Sequence, residues 1–278
     1  MTSLSAPYFD LRQTLESGQV FHWHADGAGW TGVIGKEVVR VEQVGETLRV
    51  SPGHEELVRH YFGLDHPLEK IVASFPHDAA MDAARDFCRG LRIIRQEPWE
   101  CVATFITSAM KQVPHIRQIS LTLRQRYGEP IGPSAHAYPV PERLAAAGEA
   151  ELRMAKLGFR AKNLALTARM IADGAMDLGA IRSLPTAQAR AELCRLPGVG
   201  EKVANCVLLF AYERLEAFPI DVWIERVLRE LYFKRKRNVT SRRLHEFAAE
   251  YFGPFGGYAQ QYLFHHARKT LKKRSDEN

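Results

Sequence analysis

Cysteine is scarce in this chain, and its spacing excludes several kinds of site. The 278 residues include four cysteines, which are Cys88, Cys101, Cys194 and Cys206. No two form a C-x-x-C pair, which argues against a zinc or disulfide framework and favours a reducing compartment. None follows Cys206, so a C-terminal four-cysteine iron–sulfur loop is excluded.

Membrane-spanning and targeting patterns are also missing. No apolar run approaches the length that crosses a bilayer. The first residues, MTSLSAPYFDLRQ, show neither a secretory nor a transit signal. We therefore expect no membrane partner and an intracellular location.

Acidic residues are fewer than basic ones, 32 against 38, and the formal net charge is +6. This excess favours an anionic partner only mildly. Part of it lies in two runs, KRKR at 234–237 and RKTLKKR at 268–274. Each run can contact phosphates or can be a solvated face and a frayed tail, and the sequence leaves both readings open.

Two kinds of periodicity divide the chain. Glycine-containing turns, ADGAG and VGET, separate alternating apolar segments between Ser17 and Ser51, which predicts an antiparallel sheet. From about Phe75 the period becomes helical, and helix follows helix, with the Pro-rich EPIGPSAHAYPVPERL as the longest surface loop. We predict an α+β protein with an antiparallel β-rich domain at 1–95 and an all-helical domain at 96–278.

The segment LPGVGEKVANC, residues 196–206, predicts a short turn between two helices. Gly198 and Gly200 are expected to adopt positive φ and to leave successive N–H groups uncovered. Such a turn at a helix N-terminus can hold a phosphate. Simple packing of a helical hairpin is the alternative, and we favour binding to a nucleic-acid backbone.

Lys202 is unexpected in the first turn of the second helix, where the backbone already carries partial positive charge. The predicted buried stripe comprises Val203, Val207, Phe210 and Ala211. The neighbouring stripe comprises Lys202, Cys206 and Leu209. An amine beside the core and near a positive helix end should deprotonate readily, as a Schiff-base nucleophile must. A phosphate-binding ammonium is the alternative that spacing cannot separate.

Asp221 follows in EAFPIDVW, at the predicted N-cap of the helix VWIERVLREL. An N-cap aspartate needs no function. A carboxylate and an amine fixed at two helix starts nevertheless form an acid–base pair on rigid elements.

Together, LPGVGEKVANC and FPIDVW resemble the helix-hairpin-helix and Gly-Pro-Asp loop of the base-excision DNA glycosylase superfamily. Three more segments resemble its 8-oxoguanine DNA glycosylase branch: FDLRQTLESGQVFHW, the turn LGFRAKNL and the helix GGYAQQYLF. They occur in the expected order from about Phe9 to Phe264. The resemblance implies a helix-hairpin-helix glycosylase domain, with the N-terminal domain contributing to the lesion pocket.

The resemblance implies the chemistry as well. Lys202 would attack C1′ of the damaged nucleotide, displace the base and form a Schiff base, after which β-elimination cleaves the strand. Asp221 would stabilise positive charge on the sugar and transfer protons. Cys206 would pair with the nucleophile and help to select the lesion, although a helical cysteine is more often simply buried.

An extruded base needs a pocket and a plug. By resemblance, the Gly18 carbonyl would accept the N7–H of the oxidised purine, Gln260 would bind the Watson–Crick edge and Phe264 would stack on the base. Phe159 would wedge beside the orphaned base, and Arg160 would contact it. Without the resemblance, Gly18 is a turn glycine, Phe264 is a core residue, and Phe159 and Arg160 are an ordinary loop pair.

At the hairpin, the resemblance implies phosphate contacts and a cation. The phosphate contacts would come from the N–H groups of Gly198, Gly200 and Val203. Backbone carbonyls of Cys194, Leu196 and Val199 would hold a structural K⁺ or Na⁺. We expect that no cofactor is required and that a monomer binds double-stranded DNA with an oxidised purine. The location would then be that of the DNA, in the cytoplasm or nucleoid of a bacterium or in the nucleus of a eukaryote.

Three departures from the family concern the opposite strand and the pocket rim. TSAMKQVPHIR replaces a run of asparagines, so Lys111 or Gln112 would fill the gap and Arg117 would be a second reader of the opposite base. Trp223 stands in place of a phosphate-contacting histidine. Tyr258 replaces a tryptophan.

These observations favour a bifunctional 8-oxoguanine DNA glycosylase and AP lyase. An alkylbase glycosylase of the 3-methyladenine type is the enzymatic alternative, although it typically lacks the lysine. A non-catalytic helix-hairpin-helix DNA-binding module is the alternative of another class, and it would need neither Lys202 nor Asp221.

Overall fold

A computed structural model describes residues 1–234 and 238–275, with side chains to residue 270. Its first part contains a five-stranded antiparallel sheet in the order β1-β5-β4-β3-β2. The strands are β1 (Thr2–Ser5), β2 (His24–Asp26), β3 (Gly29–Ile34), β4 (Glu37–Val44) and β5 (Thr47–Val50). The antiparallel sheet predicted for this region is thereby confirmed.

Glycine turns set the register of this sheet. Ile34 pairs with Glu37, and Val44 pairs with Thr47, so each turn contains two residues. Gly45 begins the second of these turns with a φ of +58°, a conformation that glycine adopts at little cost. Alternate residues then face one side, and the inner face is formed by fully buried Val39, Val41, Leu48 and Val50.

Helix appears earlier than the sequence predicts. The N-terminal part also contains α1 (Leu11–Glu16), α2 (Glu55–Tyr61), α3 (Leu68–Ala73) and α4 (Ala79–Phe87). The first three precede the expected onset near Phe75. They contain only six or seven residues each, so the apolar period hardly repeats within them. The segment 17–23, expected to join the sheet, is irregular in the structure.

The second part of the chain is a succession of helices, as predicted. Its helices are α5 (Pro98–Ser108), α6 (Val113–Tyr127), α7 (Pro141–Leu152), α8 (Arg160–Ala172), α9 (Thr186–Leu193), α10 (Glu201–Ala211), α11 (Val222–Val227), α12 (Ser241–Phe252) and α13 (Gly256–Ser275). The Pro-rich loop contains a small pair of strands, β6 (Pro130–Ile131) and β7 (Ala135–His136). None of the helices within 1–234 and 238–275 is both long and apolar enough to cross a membrane.

The two parts are tied together beside residues 17–19. The buried side chain of Gln19 accepts from the Ile94 N–H at 2.8 Å and donates to the Arg92 carbonyl at 2.8 Å. On the helical side, the Tyr262 hydroxyl of α13 donates to the Leu91 carbonyl at 3.0 Å. This places the turn after α1 against the last helix. The division at residue 95 stays a prediction.

Candidate active site

The turn between α9 and α10 is a hairpin packed on α8. Gly198 has a φ of +83°, and a Cβ there would lie 2.9 Å from Cβ of Asn163. The Thr167 hydroxyl donates to the Pro197 carbonyl at 2.9 Å. Both the backbone conformation and the close approach therefore require glycine at 198, as the sequence predicts.

The prediction of positive φ is wrong for Gly200. This residue is the N-cap of α10 and has a φ of −96° and a ψ of −176°, an extended conformation open to other residues. No atom lies within 4 Å of the position that a Cβ would take. N-cap geometry is extended rather than left-handed, which explains the negative φ. Because glycine has no side chain, it leaves the start of α10 uncovered.

Lys202 lies in the first turn of α10 and is half-buried. Its Nζ lies 5.2 Å from the centroid of the Phe105 ring, and its charge acts on the Cys206 thiol. The predicted single buried stripe is too narrow, because every residue from Val203 to Ala211 is buried. The helix crosses the core, so Lys202 belongs to an enclosed cluster and not to a solvated helix face.

Asp221 is the N-cap of α11, as predicted, and its Oδ1 accepts from the Ile224 N–H at 2.9 Å. Burial raises the pKa of the Asp221 carboxyl, while the Ile224 N–H and the charge of Lys202 lower it. The interaction with Lys202 shows that the fold brings the two predicted catalytic groups into one cluster.

Cys206 lies one turn after Lys202 and is 3% exposed. Burial raises the pKa of its thiol; the ammonium of Lys202 acts in the opposite direction, and Asp221 raises the pKa further. The thiol is therefore protonated at neutral pH. Cys101 of α5 interacts with both Cys206 and Lys202, and sequence reasoning missed it because α5 carries no motif.

Helix α13 packs against α11 and carries the other predicted base-binding residues. Gln260 is 4% exposed, and its Oε1 has no hydrogen-bond partner among the described residues. Phe264 lies one turn later on the same helical face and is half-buried. A buried amide oxygen without a partner is costly in a folded protein and is expected where a ligand completes the site.

Gly18, which the family resemblance implies in the same pocket as Gln260 and Phe264, lies against α13. It has a φ of +87°, and a Cβ there would lie 3.2 Å from Cε1 of Phe264. The Ser17 carbonyl accepts from Nε2 of Gln261 at 3.0 Å, and the Gln19 carbonyl accepts from Nε2 of Gln96 at 2.7 Å. These bonds fix the turn that carries the Gly18 carbonyl.

Phe159 and Arg160 differ in their exposure. Phe159, just before α8, is 57% exposed, whereas Arg160 is 4% exposed. The Arg160 guanidinium donates to the Ala109 carbonyl, from Nε at 2.6 Å and also from Nη2, and to the Leu157 carbonyl from Nη1 at 3.3 Å. In this structure Arg160 braces two loops, and its contact with the opposite base stays a prediction.

The loop between α5 and α6, which the Arg160 brace supports, is the predicted plug. Lys111 and Gln112 are both exposed. Met110 precedes them with a φ of +53° and is 90% exposed, a feature that the sequence did not single out. Arg117 of α6 is half-buried, and its charge acts on Arg268 of α13.

Trp223 and Tyr258, the other positions at which the sequence differs from the family pattern, lie in different surroundings. Trp223, in the first turn of α11, is half-buried. Tyr258 is fully buried, and its hydroxyl hydrogen-bonds Nδ1 of His66 at 2.7 Å. Tyr258 thus connects α13 to the N-terminal part.

For metals, the described residues contain no group of three or more His, Cys, Asp and Glu side chains that could hold an ion. The predicted K⁺ or Na⁺ site uses backbone carbonyls instead, at Cys194, Leu196 and Val199. Of these, the Leu196 carbonyl already accepts from the Val199 N–H at 3.0 Å. The cation site stays a prediction.

The basic runs are described only in part. Residues 235–237 of KRKR lie outside the described residues, as do the side chains of RKTLKKR from residue 271 onward. In the described part of these runs, Nζ of Lys269 pairs with the Glu16 carboxylate at 3.3 Å, and Nη2 of Arg268 donates to the Glu16 carbonyl at 2.6 Å.

Known families cover most of the chain. Residues 2–102 match the model of the 8-oxoguanine DNA glycosylase N-terminal domain, and residues 103–252 match that of the HhH-GPD superfamily of base excision DNA repair proteins. A probable N-glycosylase/DNA lyase of Methanothermobacter thermautotrophicus is 31% identical over 298 aligned positions, which cover 94% of each chain.

Two solved structures are similar over nearly their whole length. The structure of MBOgg1 in complex with a low-affinity DNA ligand has a TM-score of 0.90 and 33% identity, covering 96% of this chain and 94% of that one. An 8-oxoguanine glycosylase/lyase from Clostridium acetobutylicum, bound to duplex DNA with cytosine opposite 8-oxoG, has a TM-score of 0.88 and 31% identity, covering 95% and 93%.

Proposed function

The chain belongs to the helix-hairpin-helix superfamily of base excision DNA repair proteins, with the N-terminal domain of 8-oxoguanine DNA glycosylases, and from this premise we propose that Lys202 and Asp221 perform its chemistry. It is a bifunctional enzyme, which removes 8-oxoguanine from DNA and acts as an AP lyase. The observation that supports these two residues is their shared cluster with Cys206.

Lys202 is the nucleophile. Its amine attacks C1′ as the glycosidic bond breaks, and the bonding electrons leave with the base, which takes up a proton. Loss of protons from nitrogen and opening of the sugar ring give an imine, the Schiff base. Removal of a C2′ proton then expels the 3′ phosphate and cleaves the strand.

Asp221 acts on charge and protons. Its carboxylate stabilises the positive charge that develops on the sugar and takes part in the proton transfers. The bond from Ile224 and the position at the start of α11 hold the carboxylate in place before the substrate binds. A group fixed in advance need not reorganise during the reaction.

The lesion pocket lies between α10 and α13. Cys206 presents a neutral, polarisable thiol from one side, and Phe264 presents its ring from the other. Gln260 binds the Watson–Crick edge through the amide that lacks a partner, and the Gly18 carbonyl accepts N7–H. Because unmodified guanine has no hydrogen on N7, that contact separates the two bases.

Duplex DNA is held beside the pocket. The N–H groups of Gly198, Gly200 and Val203 contact a phosphate at the start of α10, and the exposed Phe159 wedges beside the orphaned base. The enzyme works as a monomer where the cellular DNA is, and it needs no cofactor. Carbonyls at the hairpin hold a K⁺ or Na⁺ ion as a structural element.

Trapping with borohydride tests the nucleophile. Reduction of the imine on duplex DNA containing 8-oxoguanine should give a covalent adduct with the wild type and none with Lys202→Gln. Lys70→Gln, which removes an exposed amine from α3, should give the wild-type amount. An adduct with Lys202→Gln, or none with the wild type, would contradict the assignment.

The same assay on a lesion panel separates the alternatives. An alkylbase glycosylase would excise 3-methyladenine-type bases without a trapped adduct. A non-catalytic module would bind every duplex and excise nothing.

A further inference from the structure

Arg268 reaches the lesion pocket from the end of the helical face that carries Gln260 and Phe264. Its Cζ lies 5.3 Å from the centroid of the Phe264 ring, and its Nη2 donates to the Glu16 carbonyl at 2.6 Å. A Cβ on Gly18 would lie 2.5 Å from Nη1 of Arg268. The guanidinium is thus held against the Gly18 turn.

One end of this guanidinium has no partner. Nη1 of Arg268 is buried and makes no hydrogen bond within the described residues. An unsatisfied charged donor is costlier than an unsatisfied neutral one. Lys269, the next residue, shows the ordinary alternative, because its exposed ammonium pairs with the half-buried Glu16 carboxylate.

Charged groups of the candidate site act on Arg268. Burial and the Arg117 guanidinium lower the pKa of Arg268, whereas the carboxylates of Asp221 and Glu16 raise it. Asp221 is the N-cap of α11 and Arg117 lies on α6, so charges from both elements act on the guanidinium. An arginine remains charged under these conditions.

We propose that Arg268 determines specificity by donating a hydrogen bond from Nη1 to the exocyclic oxygen at C8 of the oxidised purine. This proposal rests on the function proposed above. In 8-oxoguanine, the N7–H donor is adjacent to the C8 carbonyl acceptor. With the Gly18 carbonyl accepting from N7–H, a donor against Gly18 faces the neighbouring oxygen.

The arrangement is complementary along the whole base. Along one face of α13, Gln260 supplies an acceptor, the Phe264 ring follows one turn later, and Arg268 supplies a charged donor one turn after that. Unmodified guanine offers C8–H where Arg268 requires an acceptor. It would therefore leave the buried donor unsatisfied, and an unmet buried donor is a strong source of discrimination.

Two variants separate the free donor from the brace to Glu16. Arg268→Met removes both, while Arg268→Lys keeps a charge and a donor for the Glu16 carbonyl but cannot fork to a second acceptor. Lys269→Met is the matched control, since it removes an adjacent positive charge that points away from the pocket.

The measurement compares single-turnover excision of 8-oxoguanine with cleavage of a preformed abasic site, which contains no base. We expect both Arg268 variants to lower excision about tenfold to hundredfold, the range for a lost hydrogen bond to a charged group. Abasic-site cleavage should fall far less. Lys269→Met should resemble the wild type in both reactions, and Arg268→Lys should keep the wild-type melting temperature.

Other outcomes overturn the proposal. Equal losses of excision and abasic-site cleavage would assign Arg268 to a phosphate or to folding, and excision within twofold of wild type in Arg268→Lys would exclude a second donor. A wild type that excises no 8-oxoguanine would instead contradict the proposed function itself.

Discussion

The two walls of the pocket differ in how their polar atoms are partnered. The chemical wall comprises Lys202, Cys206 and Asp221, and the recognition wall comprises Gly18, Gln260, Phe264 and Arg268. In the chemical wall, the charge of Lys202 acts on both Cys206 and Asp221, and Asp221 accepts from the Ile224 N–H. In the recognition wall, Oε1 of Gln260 and Nη1 of Arg268 are buried without partners in the described part of the chain.

This difference indicates that one wall is complete before the substrate binds, whereas the other is completed by the base. The chemical wall is complete without substrate, as expected for groups that act on a developing charge. The recognition wall leaves one acceptor and one donor without partners. A base that supplies a donor and an acceptor to them should therefore bind more tightly than its contact area alone would give. Selectivity then depends on the recognition wall and rate on the chemical wall.

The largest expected effect lies in the chemical wall. Asp221→Asn should lower turnover about 10²- to 10⁴-fold, because asparagine cannot carry the charge or transfer the proton, while lesion-DNA binding is retained. Burial raises the pKa of Asp221, so ionisation costs stability as pH rises above the unfolded-state pKa. At neutral pH the free energy of unfolding of the variant should therefore equal or exceed that of wild type.

Turnover, duplex binding and urea unfolding at pH 7 measure these three quantities. Asp10→Asn is the control, because Asp10 is also an N-cap and accepts from the Gln13 N–H at 2.8 Å, and asparagine caps helices well. Turnover close to wild type in Asp221→Asn would remove Asp221 from the mechanism.

A smaller effect is expected in the recognition wall. Gly18→Ala places a methyl group 2.5 Å from Nη1 of Arg268 and 3.2 Å from Cε1 of Phe264. It should lower 8-oxoguanine excision about tenfold to hundredfold, through loss of one or two base contacts, with far less effect on abasic-site cleavage. Parallel assays of the two reactions check this.

Gly45→Ala separates backbone strain from crowding. Gly45 also has positive φ, but nothing lies within 4 Å of its Cβ position. It should lower stability and leave the ratio of the two activities unchanged. The difference between the walls would be lost if Gly18→Ala reduced both activities equally.

The smallest effect is expected outside both walls, at the wedge. Phe159→Ala removes a ring that is 57% exposed, so folding should be unaffected. Lesion-duplex affinity should fall about tenfold, from the loss of one stacking contact. Leu121→Ala, on α6 and 54% exposed, is the control for fluorescence-anisotropy binding. Unchanged affinity in Phe159→Ala would exclude the wedge.

Local chemistry explains what the sequence could predict. The positive φ of Gly198 and the N-cap at Asp221 each depend on a few neighbouring residues, so they were predicted correctly. The prediction of positive φ was wrong for Gly200, because glycine also occurs at N-caps, where the backbone is extended. The short helices α1 to α3 were missed because six or seven residues hardly establish a period.

The sequence by itself determined where Lys202 and Asp221 stand, since helix starts are set by adjacent capping residues and glycines. Only the tertiary structure decided which side chains meet. Arg268 and Lys269 are adjacent cations on one helix, and Gly18 is about 250 positions away from both. One residue of helical rotation, about 100°, directs Arg268 into the pocket against Gly18 and leaves Lys269 in solvent beside Glu16. Burial against a distant segment depends on how the two domains pack, and no local pattern records that packing.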